Sequence, residues 1–339
     1  MTPAAARKRV LSGIQPNGRL HIGNYVGALS VWVERQAEFE NFLFIADLHA
    51  LTVPEAVRAD DLRRQSREVA ALYIACGLDP AQTTMFLQSA MPAHPYLAWI
   101  LTCCTPLGWL KRMTQFRARV ERLSGDGDSV GAGLFTYPAL QAADILLYQP
   151  DFVPVGEDQK QHVELTRDLA ARFNALFGEC FKLPAPLIRA SGARIMGLDD
   201  PGVKMSKSLA EKSPGHAIEL LDEPARIKKK IMSAKTDSGR ECRWDHAEPG
   251  VLNLLTLFQV FSGESKQAIE ERFAGKGYGE LKKALAEVVV EALRGPQERY
   301  RELTADPGHI ERVLAAGAQR AAQVAEATLT RARELTGVK

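Results

Sequence analysis

Two short segments of this 339-residue chain combine residue types and spacing suited to phosphate chemistry. The first is Gln15-Pro16-Asn17-Gly18 followed by His21-Ile22-Gly23-Asn24, directly after the apolar run Val10–Ile14. A strand, a tight turn and a helix start in that order expose free N–H groups and the positive end of a helix dipole, which attract phosphate. Gly23 removes a side chain where a nucleotide would press on the backbone. His21 and Asn24 can donate hydrogen bonds to phosphate or ribose oxygens. Taken alone, such a short pattern reads first as a turn with a polar cap. The second segment is Lys204-Met205-Ser206-Lys207-Ser208, in a loop beside Pro201-Gly202. Two lysines three apart can hold a polyphosphate as mobile point charges; the other reading is a solvated basic loop.

The surrounding elements decide whether these groups can meet. Apolar runs at Val10–Ile14, Asn41–Ala46, Thr84–Gln88 and Phe152–Val155 fit buried strands of a parallel sheet. Helical patterns lie between them, over Arg58–Ala75 and over Gln161–Phe177, where Leu165, Leu169, Phe173 and Leu176 share a face. This alternation predicts an α/β domain with a Rossmann-like, doubly wound parallel sheet. From about Gly197 the strand-like runs stop. Leu281, Leu285, Val288, Val289, Ala292 and Leu293 follow helical spacing, as do Ile310, Val313 and Leu314. The second half therefore reads as a smaller, all-helical domain, with breaks expected at Gly295-Pro296 and Asp306-Pro307-Gly308. The expected divisions are 1–197, 198–305 and a C-terminal helix over 306–339 that packs back on the first domain. Ser124–Gly133, with four glycines, is expected to be flexible.

Composition narrows the function classes. Apolar residues are 46% and charged residues 25%, as in soluble globular proteins, which excludes a disordered or collagen-like chain. No run approaches the roughly 20 apolar residues of a membrane helix, and the charged opening residues lack the apolar run of a secretory signal. Five cysteines without a C-x-x-C pair indicate neither a disulfide framework nor zinc; buried, reduced thiols in a cytoplasmic protein are expected. The net charge of +2 means that any nucleic-acid-binding surface must be local.

His21–Asn24 after the first strand and Lys204–Ser208 at the domain change resemble the two signatures of the class I aminoacyl-tRNA synthetases, and Asn24 resembles the tryptophanyl branch. The resemblance extends over nearly the whole chain, through Ser12–Gly18, Gly23–Gly27, Met113–Phe116, Ala143–Tyr148, Val153–His162, Gly192–Met196 and Gly275–Tyr278. It implies a two-step reaction. L-tryptophan and ATP form tryptophanyl-adenylate and pyrophosphate, and the acyl group then passes to the 3′ end of the cognate tRNA. It also implies a homodimer, and Mg²⁺ that arrives with ATP, since no protein metal site is evident.

By motif match, His21, Asn24, Lys204 and Lys207 would be catalytic. Gln15, Pro16, Asn17, Gly23, Asn24, Gly156, Glu157, Asp158, Ile195, Met205, Ser206 and Ser208 would face ATP together with the two lysines, and Arg117 would lie near the phosphates. For tryptophan, Asp144 would accept the indole N–H, Tyr137 and Gln159 would hold the α-amino and carboxylate end, and His49, Val153 and Val155 would line the pocket. Gln141 stands where many tryptophan enzymes have Met, and Tyr137-x-x-x-Gln141-x-x-Asp144 also resembles the tyrosyl branch; the flanking segments favour tryptophan. Arg226, Lys228, Lys229, Lys230 and Lys235 form a local basic patch for tRNA. The alternatives are a tyrosine–tRNA ligase, a nucleotidyltransferase of the same fold and a catalytically idle tRNA-binding paralogue.

Overall fold

The computed structural model describes residues 7–114, 116–117, 131–156, 160–188 and 194–339. The apolar runs form parallel strands β1 (Arg9–Ile14), β2 (Glu40–Ile45), β3 (Thr83–Leu87) and β4 (Phe152–Val155), joined by β5 (Ala185–Ile188). Their order is β3-β2-β1-β4-β5. Val10 pairs with Asn41 on one side and Phe152 on the other. The first half is therefore the doubly wound sheet expected, and the chain reverses direction across the sheet between β1 and β4. β5 escaped sequence reading because it is four residues long and contains Pro186; it is an outer strand, where a missing N–H is tolerated.

Alternate residues point to opposite faces of the sheet. Leu43 and Ile45 enter a core shared with helices α1 (residues 22–35) and α3 (Ala59–Ala75), whereas Phe42 and Phe44 enter a second core with α4 (Ala93–Cys104), α6 (Ala132–Leu146) and α7 (Lys160–Phe177). Short helices α2 (Asp47–Ala50) and α5 (Leu107–Lys111) complete this half. Leu176 does not join its heptad partners; it is 53% exposed, at the outer end of α7. Cys76, Cys104 and Cys242 are buried, but Cys103 is exposed on α4.

The second half consists of α8 (Lys207–Lys212), α9 (Pro224–Met232), α10 (Pro249–Ser262), α11 (Lys266–Phe273), α12 (Gly277–Ala305) and α13 (Pro307–Thr336). Gly295-Pro296 does not interrupt α12. Leu293 and Pro296 are both buried, and tertiary packing carries the helix past the hydrogen bond that proline removes. The break falls at Asp306, whose side chain accepts from Gly308 N–H and starts α13. Ile310 and Leu314 of α13 lie in the first core and Ala321 and Ala325 in the second, so the helix passes over the outer strand β3. Gly317 sits at the crossing, where a Cβ would lie 1.7 Å from the Met85 carbonyl oxygen.

Candidate active site

A cavity of about 390 Å³ opens at the carboxyl ends of β1 and β4, where an open α/β sheet binds ligands. Leu11, Phe44, Ala46, Ile145 and Val153 give it apolar walls; Gln15, His49, Tyr137, Gln141, Val155 and Gly156 also line it. Gly13 is required by its geometry, because a Cβ there would lie 2.4 Å from Phe44 Cζ. The Tyr137 hydroxyl pairs with His162 Nε2 at 2.6 Å, and burial pushes the phenol up to about 12. Gln141 is half-buried and makes no hydrogen bond among the described residues, so its amide is available to an occupant.

Asp144 lies one helical turn beyond Gln141 and is wholly buried. Its carboxylate accepts from His94 Nδ1 at 2.6 Å, from His49 Nε2 at 2.7 Å, and from Gln88 Nε2 at 2.8 and 2.9 Å. With His94 Nδ1 donating, its Nε2 accepts the Tyr148 hydroxyl at 2.8 Å. Burial alone would raise the Asp144 carboxyl, but the hydrogen bonds from His49 and His94 prevail and hold it at about 2. It is thus an ionised carboxylate behind His49 rather than part of the cavity wall. Sequence reading missed Gln88 and His94. Gln88 follows the carboxyl end of β3, the position where a parallel sheet places site residues; no sequence signal pointed to His94.

A second cavity of about 440 Å³ shares Gln15 and His49 with the first. Pro16, Asn17, Gly18, Arg58, Gln65, Lys207 and Ser208 line it, with the carboxylates Asp61 and Glu211. Ser206 caps α8 by accepting from Leu209 N–H, which points the first turn, with Lys207, at this cavity. Burial lowers the Lys207 ammonium to about 8, against the raising influence of Glu211 and Glu68. Lys204 is exposed and lines neither cavity.

His21 begins α1, which is α-helical over Ile22–Asn24, π-helical over Tyr25–Leu29 and α-helical again over Ser30–Arg35. The Asn24 side chain accepts from His21 N–H at 3.1 Å, closing the turn. The imidazole is buried, with Nδ1 unpartnered among the described residues, and Gly23 makes room for it: a Cβ there would lie 3.0 Å from Nδ1. Burial first, then the charges of Lys207, His216 and Lys204, lower it to about 4, so it is neutral at pH 7.

Met205 N–H donates to the Ile195 carbonyl at 3.1 Å, and both residues are buried. Arg117 is exposed, donates to the Lys111 carbonyl and lines neither cavity. Glu157, Asp158, Gln159 and most of Ser124–Gly133 lie outside the described residues. The basic patch needs correction. Lys228, Lys229 and Lys235 are exposed, but Lys230 is buried and paired with Asp222 at 2.6 Å, and Arg226 takes the other oxygen at 3.0 Å.

Residues 4–294 match the family model of tRNA synthetases class I (W and Y). This chain belongs to that family. A tryptophan–tRNA ligase of Helicobacter pylori is 51% identical over 332 residues, covering 98% of this chain and 99% of the relative. A tryptophanyl-tRNA synthetase structure from Mycoplasma pneumoniae is 37% identical, with a TM-score of 0.86 and 98% coverage of both chains. The Campylobacter jejuni tryptophanyl-tRNA synthetase solved with ADP and tryptophan is 36% identical, with a TM-score of 0.85, covering 97% of this chain and 100% of the other. As a class I synthetase, the chain needs neighbouring seats for a nucleotide and an amino acid, and its two cavities adjoin at Gln15 and His49.

Proposed function

We propose that the chain activates L-tryptophan with ATP and transfers it to its tRNA. The observation that carries this reading is the pair of adjoining cavities at the sheet's switch point, one with apolar walls and polar groups at Tyr137 and Gln141, the other lined by Lys207. The relative solved with ADP and tryptophan supports placing both substrates there.

In the first step the tryptophan carboxylate attacks the ATP α-phosphorus. A carboxylate–phosphorus bond forms, the bond to the β-phosphate oxygen breaks, and its electron pair leaves with pyrophosphate. The attacking group is already ionised, so no protein nucleophile or base is needed. Catalysis rests on alignment and on cations meeting the charge that builds on the leaving group. Lys207 supplies one such charge from the cavity wall; Lys204, on the exposed loop before it, reaches the polyphosphate by moving. Neutral His21 and Asn24 act at the phosphate-binding turn as hydrogen-bonding groups. The nucleotide lies along Gln15–Asn17, Gly23, Gly156–Asp158, Ser206 and Ser208, with backbone of Ile195 and Met205 at adenine. Because the Met205 N–H is already given to Ile195, adenine meets other backbone groups of these two residues. Lys207 and Arg58 in this cavity suit phosphate oxygens, and Mg²⁺ would arrive on the ATP phosphates, with Asp61 and Glu211 the carboxylates in the lining that could face it.

The indole occupies the apolar cavity, with Tyr137 and Gln159 at the α-amino and carboxylate end. Among the described residues no carboxylate lines this cavity, and Asp144 stands directly behind His49. The indole N–H reaches Asp144 when the His49 ring yields its place on Oδ2. In the second step a terminal ribose hydroxyl of tRNA attacks the acyl carbon, the acyl–phosphate bond breaks, and AMP leaves with its phosphate oxygen taking up the hydroxyl proton. Lys228, Lys229 and Lys235 contact tRNA phosphates. The enzyme works as a cytoplasmic homodimer; Trp99, 70% exposed on α4, and Leu107, 65% exposed on α5, are exposed apolar side chains that a partner copy would cover. Among the described residues no helix is long and apolar enough to cross a membrane.

ATP–pyrophosphate exchange measured with each of the twenty amino acids tests the reading. Tryptophan is expected to drive exchange; preference for tyrosine would move the chain to the other branch of its family.

A further inference from the structure

The basic helix α9 has two faces with different partners. Lys228 and Lys229 point outward, while Lys230 is buried beside Asp222, with only 6% and 1% of the two side chains exposed. Lys230 Nζ donates to Asp222 Oδ2 at 2.6 Å and to the Ala217 carbonyl at 2.7 Å. The same Oδ2 accepts from Glu219 N–H at 2.9 Å, and Arg226 reaches Oδ1 at 3.0 Å. From α12, Gln297 Nε2 donates to the carbonyls of Leu220 and Asp222, at 2.8 and 3.0 Å. Two helices of the second half thus hold both ends of segment 217–222.

That segment is the partner of the phosphate-binding turn. Ile22 N–H donates to the Ile218 carbonyl and Leu220 N–H to the Leu20 carbonyl, each at 2.9 Å. His21 and Glu219 form an antiparallel bridge between these bonds. Arg19 adds an ion pair to Glu219 at 2.9 Å. Every link from Lys230 to the His21 backbone is a short hydrogen bond. A buried ion pair is a poor source of net stability, because desolvation opposes the attraction. Fixing one backbone geometry is a role that an apolar replacement would not fill.

We propose that Lys230 and Asp222 are positioning residues for adenylate formation. The pair fixes segment 217–222, which fixes the register of His21. This rests on the activation chemistry proposed above. It also links the two faces of α9: a tRNA drawn to Lys228 and Lys229 loads the helix whose buried side holds the phosphate-binding turn.

The test uses the full chain with Lys230→Met and with the double variant Asp222→Asn/Lys230→Met. Removing Lys230 leaves the buried Asp222 carboxylate with only the half-exposed Arg226 and the Glu219 N–H, whereas removing both charges relieves that penalty; the double variant should therefore melt closer to wild type than the single one. Its exchange kcat, per active site titrated by the pyrophosphate burst and well below its Tm, should stay about tenfold or more below wild type. The KM for tryptophan should stay within about twofold, since no tryptophan contact is touched. Amide hydrogen exchange at Ile22 and Leu220 should accelerate. Recovery of kcat together with Tm, or unchanged protection of those two amides, would overturn the proposal. Absence of tryptophan-dependent exchange in the wild type would sink the functional reading instead, and the amide measurement would still judge the strut.

Discussion

Replacing Asp144 by Asn changes charge with almost no change of shape, and the surrounding bonds set the expected effect. The carboxylate accepts from His49, His94 and Gln88, and Gln88 donates to both oxygens. Whichever side the new amide nitrogen takes, it opposes the Gln88 donor and one imidazole nitrogen. A tautomer shift can relieve the imidazole, and Gln88 keeps its bond to the remaining oxygen, but its amide then faces the new amide donor at close range. Hydrogen bonds to a charged group contribute about 1.5–3 kcal/mol and neutral ones about 0.5–1.5. Weakening them and stranding one donor should cost about 2–4 kcal/mol of stability. The wild-type carboxyl is depressed from 3.8 to about 2, so its contribution is present above pH 4 and lost as the pH falls toward 2. Asp144→Asn should lack that acid limb. In tryptophan binding, the indole N–H would meet a neutral amide. A loss of about 1.5–3 kcal/mol corresponds to a rise in KM of roughly ten- to a hundredfold, with weaker rejection of phenylalanine. Exchange kinetics with both amino acids and thermal melts from pH 2 to 7 read these effects together. A variant with wild-type KM for tryptophan and intact rejection of phenylalanine would refute the assignment of Asp144.

Gly13→Ala should drive Phe44 into the first cavity, since the new Cβ would sit 2.4 Å from its ring; steady-state kinetics should show KM rising for tryptophan and not for ATP. Lys207 sets a pH limit for exchange and His21 one for stability, read by pH-dependent kinetics and thermal melts. Lys207 loses its charge above about pH 8, so kcat/KM for ATP should fall there, and a rate still climbing at pH 9 would contradict its role. His21 is depressed from 6.5 to about 4, so the folded state binds fewer protons than the unfolded chain in that window. Its contribution to stability is present above pH 6.5 and lost as pH falls toward 4. Lys228→Glu/Lys229→Glu, leaving buried Lys230 intact, should weaken tRNA binding and flatten its salt dependence while sparing exchange; an equal loss in both assays would remove tRNA from this face.

Local sequence pattern revealed four strands and the helical second half, because burial enforces period and composition; of the residues taken from motif match, Gln15, Asn17, His49, Tyr137, Val153 and Lys207 line a cavity, whereas His21, Asn24, Asp144 and Lys204 line neither. It failed where long-range contact decides. Pro296 looked like a helix stop, yet buried neighbours carry α12 through it. Lys230 was indistinguishable from Lys228 and Lys229 in a run of like residues; only its opposition to Asp222 across a turn of backbone separates them. Asp144 was found through its motif, but its enclosure by His49, His94 and Gln88 depends on three different elements meeting.

A co-crystal structure with a non-hydrolysable tryptophanyl-adenylate analogue tests the central claim most directly. The indole is expected between Phe44 and Val153, its nitrogen within hydrogen-bond distance of Asp144, and the phosphate mimic beside Gln15 at the junction of the two cavities. An indole seated outside the first cavity, or an analogue bound away from Gln15 and His49, would contradict that claim.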